Sequence, residues 1–383
     1  MYDMPTKYDV FAELIEKAPR TASKLPFKTP VYAHLKLLMK DNLIKKEGTK
    51  YIPIKTNKSQ AIFSIIKYCL KNGLNHNLIL SKNTPKIILE IFSKAPNLRP
   101  KSLTGNNENT KILNYLENNQ FILLIKNKPK KGIILKHQLF ESIKNLHNIQ
   151  LEFKTTKYFN IFNEVKEIKY EEINPFDDKV LEFLSGSAQL EGSTVTIEET
   201  KKLILNDIYP EKPKKDIQMV KNLNEAIHYV LEHITESITE KHIKEINKMV
   251  LFSMHRNAGK YKTTHNKIQG NPDFKTTHPN KVQAEMIAYC EVIKTITTKE
   301  KCLKELGFIH NKIQHIHPFS DGNSRTTRMI LNWILLKNKI PIITIKMGCF
   351  DEYMSLTKLS KKRDDQKLTQ LFHHILLHEK FIN

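Results

Sequence analysis

The chain of 383 residues has few glycines and no long apolar run. Its 11 glycines and 16 prolines are too few for long disordered linkers, so we expect two or three folded domains, each with its own core. No stretch reaches the roughly 18 apolar residues that span a bilayer. The start, MYDMPTKYDVF, lacks the basic and apolar segments of a secretory signal.

Cysteine is also scarce, and the four cysteines lack the spacing of metal ligands. They are Cys69, Cys290, Cys302 and Cys349. Scattered cysteines of this kind indicate reduced, buried thiols in a cytoplasmic protein.

Acidic residues are outnumbered, with 40 Asp and Glu against 62 Lys and Arg, which gives a net charge of +22. Residues 1–150 hold 26 basic and 10 acidic residues and therefore carry +16 of that excess. Such a concentration favours a partner with a phosphate backbone, so DNA is an expected partner of residues 1–150. A lysine-rich composition without any such partner is the alternative.

The basic region contains an internal repeat at an offset of 77 residues. ELIEKAP from Glu13 is echoed by EIFSKAP from Glu90, and YAHLKLLMKDNLIKK from Tyr32 by TKILNYLENNQFILLIK from Thr110. Each copy predicts three short helices and then a basic hairpin, which resembles a winged helix-turn-helix. Modules of this kind also serve as dimerisation or protein-docking units, and that alternative stays open.

The predicted organisation is a winged module at residues 1–58, a connecting helix at 59–80 and a second winged module at 81–150. In such a module one helix enters the major groove while the basic wing touches flanking phosphates. The candidate DNA contacts in the first copy are Lys28, Tyr32, His34, Lys36, Lys45, Lys46 and Lys50.

The stretch HPFSDGNSRTTR, from His317, carries the most chemistry in the chain. Apolar residues before it recur at helical spacing and predict a helix that Pro318 ends, and a second helical pattern follows it. SDGNS is therefore a tight loop between two helices. Gly322 and Asn323 can adopt left-handed conformations, which would point the loop amides into a concavity at the start of the second helix.

Charged residues of the motif would converge on that concavity. Arg325 and Arg328 lie three residues apart on one helix face, which suits a polyphosphate. Asp321 suits a Mg²⁺ that bridges phosphate oxygens, and His317 suits a general base. Three alternatives remain: a metal cluster of His310, His315 and His317, a capped turn without chemistry, and a phosphate site without catalysis.

The whole pattern resembles the signature of the Fic family, His-Pro-Phe-x-Asp/Glu-Gly-Asn-Gly-Arg-x-x-Arg. The resemblance extends over residues 174–376. SGSAQLEGS from Ser185 resembles the family's inhibitory helix, expected around residues 185–192, and HRNAGKYKTTHNKIQG from His255 resembles its flap. The resemblance implies an all-helical Fic-type domain at 165–383 with a small β-hairpin flap, so the expected fold class is mainly α.

Fic proteins mostly transfer AMP from Mg-ATP to a hydroxyl side chain of a protein. The resemblance implies that His317 is the base, that Asp321 holds Mg²⁺, and that the acceptor is a Ser, Thr or Tyr of a target or of the chain itself. The nucleotide-binding residues that it implies are Gly322, Asn323, Ser324, Arg325, Arg328 and Tyr353. The flap residues that would pair with a target strand are Lys262, Thr263, Thr264, His265 and Ile268.

Two positions, Ser324 and Lys262, depart from the family pattern. A further pair of residues, Glu191 and Arg328, implies that the enzyme is autoinhibited. Ser324 replaces a glycine, which would cost about 1 kcal/mol if the position needs a positive φ. Lys262 replaces a frequent arginine. The family's inhibitory motif is matched by Ser187 and Glu191, and Glu191 is expected to form a bidentate ion pair with Arg328 that keeps the γ-phosphate out.

The chain is therefore predicted to be an autoinhibited protein adenylyltransferase. Some relatives use the inhibitory glutamate to remove AMP, so the reverse reaction is a second activity that the resemblance allows. The alternatives are a DNA-binding transcription regulator whose Fic-like domain senses nucleotide, and an enzyme that transfers UMP or a phosphorylated headgroup. The intact base favours an enzyme, because a binding-only domain does not need it.

Overall fold

The computed structural model describes residues 5–98, 107–150, 156–268, 271–357 and 363–382. These ranges contain seventeen α-helices and five short strands, so the predicted mainly α class is confirmed. They form two compact units. The N-terminal unit comprises residues 1–93, 100–115 and 138–153, and the C-terminal unit comprises residues 94–99, 116–137 and 154–383. None of the helices in the described ranges is long and apolar enough to cross a membrane.

The N-terminal unit begins with the first repeat. Its elements are α1 (Lys7–Lys17), β1 (Arg20–Thr21), α2 (Tyr32–Lys40), β2 (Ile44–Glu47) and β3 (Lys50–Pro53). The strands form an antiparallel sheet in the order β1-β3-β2. A capping box of Thr6 and Asp9 starts α1, which packs against α2 and β3 through buried residues that include Phe11 and Leu14.

Two predictions for this region were wrong in detail. The expected middle helix of the first repeat is only a 3-10 turn, Ala22–Lys24, because Pro19 and Pro26 bracket the segment and disfavour helix across it. The expected single helix at 59–80 is broken. α3 (Asn57–Lys71) ends where Gly73 turns the chain at φ 65°, and α4 (His76–Ile79) follows under an Asn75 cap.

The second repeat is divided between the two units. Its elements are α5 (Thr84–Lys94), α6 (Asn107–Asn118), β4 (Ile122–Lys126), β5 (Lys131–Ile134) and the following α7 (Gln138–His147). The β4–β5 hairpin lies where the sequence predicts it, but it belongs to the C-terminal unit. The predicted module at 81–150 is therefore not one compact unit. The repeated residues 99–103 lie outside the described ranges.

The C-terminal unit is a helical bundle. Its helices are α8 (Phe162–Lys166), α9 (Asp178–Gln189), α10 (Ile197–Asn206), α11 (Lys214–Glu232), α12 (Glu240–Val250), α13 (Val282–Lys294), α14 (Lys299–Ile316), α15 (Asn323–Lys337), α16 (Phe350–Leu356) and α17 (Asp365–Ile382). α15 is buried from Asn323 to Leu336 and packs against α9, α11, α12 and α14. A helix buried all round is the central element of its unit, and its first turn carries the motif.

Gln120 connects the second repeat to this bundle within the C-terminal unit. Its Nε2 donates to the Thr344 carbonyl and to Glu379 Oε1 on α17, each at 2.9 Å. Its Oε1 accepts the Lys346 amide at 2.9 Å. Because Gln120 is fully buried, these three bonds satisfy a polar group that would otherwise be costly to bury.

Candidate active site

The motif loop joins α14 to α15 as the sequence predicts. His317 caps α14 in a left-handed conformation at φ 50°. Asn323 closes the loop, because its Oδ1 accepts the Phe319 amide at 2.9 Å and its Nδ2 donates to the Phe319 carbonyl at 2.8 Å. Phe319 is fully buried and anchors the loop in the core, as expected. The loop therefore holds His317 half-buried at a fixed place.

Gly322 precedes α15 and has two reasons to be glycine. Its φ is 73°, and an added Cβ would come within 3.0 Å of both Asn247 Nδ2 and Leu251 Cγ. The turn aims the start of α15 at the loop. The first amides of a helix have no intrahelical acceptor and lie at the positive end of its dipole, so this end of α15 suits an anion.

Ser324 lies inside the first turn of α15, with a helical backbone and no positive φ. The condition for strain at this position, a positive φ, is therefore not met. The positive φ values near it belong to His317 and Gly322, and serine is compatible with the first turn of a helix.

Arg325 is 4% exposed and only loosely bonded. Its Nη1 donates to the Val250 carbonyl at 3.4 Å, its Nη2 lies 3.5 Å from Asp321 Oδ1, and its Nε has no partner among the described residues. A buried guanidinium with a spare donor and long contacts has capacity for a phosphate oxygen.

Asp321 is exposed, and one of its two carboxylate oxygens accepts hydrogen bonds. Its Oδ1 accepts the Gly322 amide at 2.6 Å, while its Oδ2 has no hydrogen bond to a described residue. One carboxylate oxygen plus substrate phosphates is a set of ligands that Mg²⁺ accepts, since it usually keeps several waters. No three His, Cys, Asp or Glu side chains within the described ranges gather into a protein-only metal site.

Arg328 contacts the segment that resembles an inhibitory helix. Its Nε donates to Ser187 Oγ, and its Nη2 donates to the Ser187 carbonyl and to Glu191 Oε1, all at 2.9 Å. The sequence predicted a bidentate ion pair between Arg328 and Glu191. In these contacts Glu191 binds only Nη2, and Ser187 binds Nε and also Nη2. Burial lowers the pKa of Arg328, but the interactions with Glu191 and Tyr353 together outweigh it and leave that pKa raised.

A second set of hydrogen bonds lies next to Arg328. Tyr353 interacts electrostatically with Arg328, and its hydroxyl lies 2.8 Å from His310 Nε2. His310 Nδ1 lies 3.3 Å from Asn311 Oδ1, and Asn311 Nδ2 donates to Asp365 Oδ1 at 2.7 Å. Because the Asn311 amide donates to a carboxylate, its oxygen accepts from His310, and every donor in the chain points from Tyr353 towards Asp365.

This network changes the surroundings expected for two residues. Tyr353 is 2% exposed and its hydroxyl lies against His310, so it is not at an open nucleobase face. His310 is fully buried against Tyr353, whereas the side chain of His315 is exposed. The three histidines therefore do not converge on one metal ion. No feature of the sequence indicated that His310 would contact Tyr353.

The segment that resembles the flap crosses the motif loop. Tyr261 forms an antiparallel bridge with Phe319, and the Lys262 amide donates to the Pro318 carbonyl at 2.8 Å. Asn266 Nδ2 donates to the Phe319 carbonyl at 2.8 Å. Residues 262–268 carry no helix or strand assignment, and residues 269–270 lie outside the described ranges.

The side chains of the flap divide into buried and exposed groups. Lys262 is 3% exposed and its Nζ donates to Thr276 Oγ1 and to the Ile316 carbonyl, at 2.9 and 3.2 Å. Burial lowers the pKa of Lys262 to about 8. Ile268 is also buried. The exposed residues between Lys262 and Ile268 are Thr263, Thr264, His265 and Lys267.

Asn247 is a buried polar residue that sequence reasoning missed. Its Nδ2 donates to the Asp321 carbonyl and to Thr326 Oγ1, each at 3.1 Å, and its Oδ1 accepts the Gly259 amide at 2.9 Å. It therefore fastens α12 to both sides of the motif. Asparagine on the apolar face of α12, between Ile246 and Val250, was the available indication.

Comparison with known proteins matches residues 237–335 to the Fic/DOC family model. A "Protein adenylyltransferase Fic" of Nematostella vectensis is 31% identical over 175 residues, which cover 44% of this chain and 40% of that relative. A "Protein adenylyltransferase fic-1" of Caenorhabditis briggsae is 20% identical over 292 residues, 73% of this chain and 54% of that relative. A solved Fic-domain signaling protein from Bacteroides thetaiotaomicron aligns at a TM-score of 0.47 and 24% identity, over 58% of this chain and 90% of that one.

The chain spans about half the length of the curated relatives that it matches. The matched segment contains α12, α13, α14 and most of α15, and so includes the whole motif loop with His317, Asp321 and both arginines. Residues 237–335 of this chain are therefore similar to the Fic/DOC family model over the segment that holds the site.

Proposed function

We propose that the chain is a protein adenylyltransferase, held in an autoinhibited state, that transfers AMP from ATP to a Ser, Thr or Tyr hydroxyl. The acceptor belongs to a target protein or to the chain itself. One observation carries the proposal: His317, the amides that start α15 and two buried arginines meet at a single loop. The names of the relatives support AMP as the transferred group.

In this mechanism His317 takes the proton from the acceptor hydroxyl. The hydroxyl oxygen forms a bond to the α-phosphorus of ATP, and the bond from that phosphorus to the oxygen bridging to the β-phosphate breaks. Pyrophosphate leaves with the electron pair, and AMP stays as an ester on the acceptor. The α15 amides and Arg325 stabilise the phosphate charge, and Arg328 binds the γ-phosphate.

Asp321 is the residue that would hold Mg²⁺, because Oδ2 is exposed beside the start of α15. The ion supplies charge neutralisation on the triphosphate when it is bound. Arg325 Nη2 lies 3.5 Å from Asp321 Oδ1, the oxygen that also accepts the Gly322 amide, and so helps to orient the carboxylate.

Inhibition in this proposal is competition for Arg328. Glu191 Oε1 occupies one Nη2 donor at 2.9 Å, and its charge repels an incoming γ-phosphate. The nucleotide then binds without the alignment that in-line attack requires. The two bonds from Arg328 to Ser187 do not involve Glu191, so the guanidinium stays in position when Glu191 leaves.

Target docking is assigned to the exposed part of the flap. Thr263, Thr264 and His265 are exposed next to the bridge between Tyr261 and Phe319. A target segment that pairs with this backbone would bring its hydroxyl towards His317. Lys262 supports the segment from inside, because its ammonium group bonds to the end of α14.

The test is incubation of the full chain with Mg²⁺ and ATP labelled on the α-phosphate, followed by detection of labelled protein. Glu191→Gly is expected to raise labelling roughly tenfold or more, since about 1.4 kcal/mol of competing interaction corresponds to that factor. His317→Ala in the Glu191→Gly background is expected to lower it by roughly 10²–10⁴-fold.

The matched control is Glu182→Gln, which lies on α9, the helix that ends just before Glu191, and which breaks the 2.9 Å ion pair with Lys346. It perturbs α9 without touching Arg328, so labelling should stay at the level of the unmodified chain. Equal labelling of the unmodified chain and Glu191→Gly would remove the inhibitory role. Labelling that survives His317→Ala would remove the base.

The other readings predict different results in the same assay. A nucleotide-sensing regulator would bind ATP and label nothing, even with Glu191→Gly. An AMP-removing enzyme would release AMP from labelled protein, and this release would need the Glu191 carboxylate. Competition with unlabelled UTP identifies an enzyme that prefers UMP.

A further inference from the structure

The first repeat presents a helix and a hairpin whose outward sides are basic. α2 buries Val31, Leu35 and Leu38 towards α1, which leaves its other side to solvent. The exposed residues of α2 are Tyr32, Ala33, Lys36, Leu37 and Lys40. In the adjacent hairpin the exposed residues include Lys45, Lys46 and Lys50.

Charge on this repeat is segregated and largely unpaired. Residues 20–55 hold nine basic residues and two acidic ones, and both acids are paired: Asp41 with Lys7 at 2.8 Å and Glu47 with Lys45 at 2.5 Å. Seven lysines of this region make no ion pair with a described residue. They are Lys24, Lys28, Lys36, Lys40, Lys46, Lys50 and Lys55.

We infer that this surface binds double-stranded DNA, with α2 in the major groove and the β2–β3 hairpin on the flanking phosphates. The sheet order β1-β3-β2 sets the hairpin beside α2, which contacts β2. The major groove of B-DNA admits one α-helix, and unpaired lysines release counterions when they meet phosphates. His34, an earlier candidate, is half-buried and is left out of the surface.

Other partners fit this surface less well. Protein interfaces are depleted in lysine and centred on buried apolar anchors, whereas α2 exposes only Tyr32 and Leu37 as large apolar groups. A-form RNA has a major groove too narrow for a helix. The observations therefore favour duplex DNA, and Tyr32, 59% exposed at the start of α2, is placed to contact it.

The second repeat does not share this surface. α6 exposes a single lysine, Lys111, and carries Glu108 and Glu117. The strands β4 and β5 are mostly buried in the C-terminal unit. The inference is therefore confined to the first repeat, although the sequence suggested DNA contacts for both.

The experiment measures binding of the full chain to a fluorescent duplex of about 30 base pairs with mixed sequence, by anisotropy. Affinity for the duplex should fall at least tenfold between about 50 and 200 mM salt. The variant Lys36→Glu with Lys40→Glu should bind at least roughly 30-fold more weakly, because two phosphate-facing charges are reversed.

The chain offers a closely matched control in Lys67→Glu with Lys71→Glu. Both pairs are exposed lysines spaced i, i+4, and both end in the last turn of a helix, α2 or α3. The net charge changes equally, so long-range attraction is matched. The control should lose about threefold or less. A circular dichroism spectrum of each variant checks that it is folded.

A second variant tests the hairpin separately. Lys46→Ala with Lys50→Ala should weaken binding on every duplex alike and reduce the salt slope by about 2. Equal losses in the α2 and α3 pairs, tighter binding to single strands or to RNA, or no binding by the unmodified chain would each overturn the inference. Labelling by ATP in the Glu191→Gly background should be unaffected by the α2 changes, so this test and that of the proposed function fail independently.

Discussion

The hairpins β2–β3 and β4–β5 occupy equivalent places in two repeats that lie 77 residues apart in sequence, yet their surroundings are opposite. In β2, Lys45, Lys46 and Glu47 are all exposed, while in β4 the residues Ile122, Leu123 and Leu124 are all buried. β4 packs along α17, and Leu123 belongs to the same core as the helices of the C-terminal unit.

The difference shows how one local arrangement acquires two roles. A hairpin with charged outward residues stays in water and is available to a partner, whereas one with apolar residues on both sides must be covered. Backbone pairing is similar in both hairpins, so side-chain chemistry decides what each one contacts.

The largest expected effect comes from truncating the buried side of this comparison. Leu123→Ala should destabilise the C-terminal unit by about 2–5 kcal/mol, because it opens a cavity in the core. The equivalent change on the free hairpin, Lys46→Ala, should alter stability by no more than about 0.5 kcal/mol. Denaturant unfolding of Leu123→Ala is followed by the fluorescence of Trp333, the chain's only tryptophan, which is buried in the C-terminal unit, and unfolding of Lys46→Ala by circular dichroism. Similar midpoints for the two variants would mean that β4 is not part of that core.

The two hairpin glycines provide a second, smaller contrast. An added Cβ at Gly132 would lie 2.7 Å from Leu98 Cδ1 and 2.8 Å from the Leu123 carbonyl, so Gly132→Ala should cost about 1–3 kcal/mol in the Trp333 transition. Gly48 has open space but a φ of +58°, so Gly48→Ala should cost about 1 kcal/mol from backbone strain alone. The loss at Gly48 should be visible by circular dichroism and absent from Trp333 fluorescence. If Gly48→Ala changed the midpoint of the Trp333 transition, the first hairpin would not be independent of the C-terminal unit.

The smallest effect concerns pH and is confined to the second hairpin. His378 Nδ1 accepts the Leu124 amide at 3.0 Å and Nε2 donates to the Glu117 carbonyl at 3.1 Å, so the ring is neutral. Burial, with nearby Lys346, lowers the pKa of His378 to about 3. Between pH 6.5 and 3 the unfolded chain therefore binds a proton that the folded chain does not, and stability falls with acidification by up to about 1.4 kcal/mol per pH unit.

His378→Gln keeps one donor and one acceptor but cannot titrate. The Trp333 transition of this variant should lose less stability between pH 7.5 and 5.5 than that of the unmodified chain, while both respond alike between pH 8.5 and 7.5. The same slope in both proteins at acid pH would mean that His378 does not couple the hairpin to pH.

Local patterns predicted much of the fold. The turn at Gly48, both hairpins and the helices that flank the motif follow from periodicity, glycine and proline. The break in the connecting helix at Gly73 was not predicted, because the apolar spacing of the sequence continues across it. The sequence FILLI lacks the polar alternation of a half-exposed strand and so indicates that β4 is buried. The lysines of the turn led instead to the prediction of a basic hairpin.

The sequence predicted which residues form the candidate site, but it predicted only some of the contacts between them. The motif's spacing brought Asp321, Arg325 and Arg328 together, and Ser187 with Glu191 meets Arg328 as the family resemblance implied. The contact between Tyr353 and His310 could not be read from the sequence, because the two residues lie on separate helices, α16 and α14. The side-chain direction of Lys262 was likewise not readable in a segment without helical or strand periodicity.

The sequence by itself determined the local chemistry: a glycine that permits the turn before α15, a histidine at the end of α14, and an excess of lysine in the first repeat. These depend on residue type and short spacing, which the chain carries wherever it folds. Only the tertiary structure decided which charges are buried against one another and which hairpin remains in solvent. Those outcomes depend on contacts between residues more than a hundred positions apart, and the energy of a charge is set by what surrounds it.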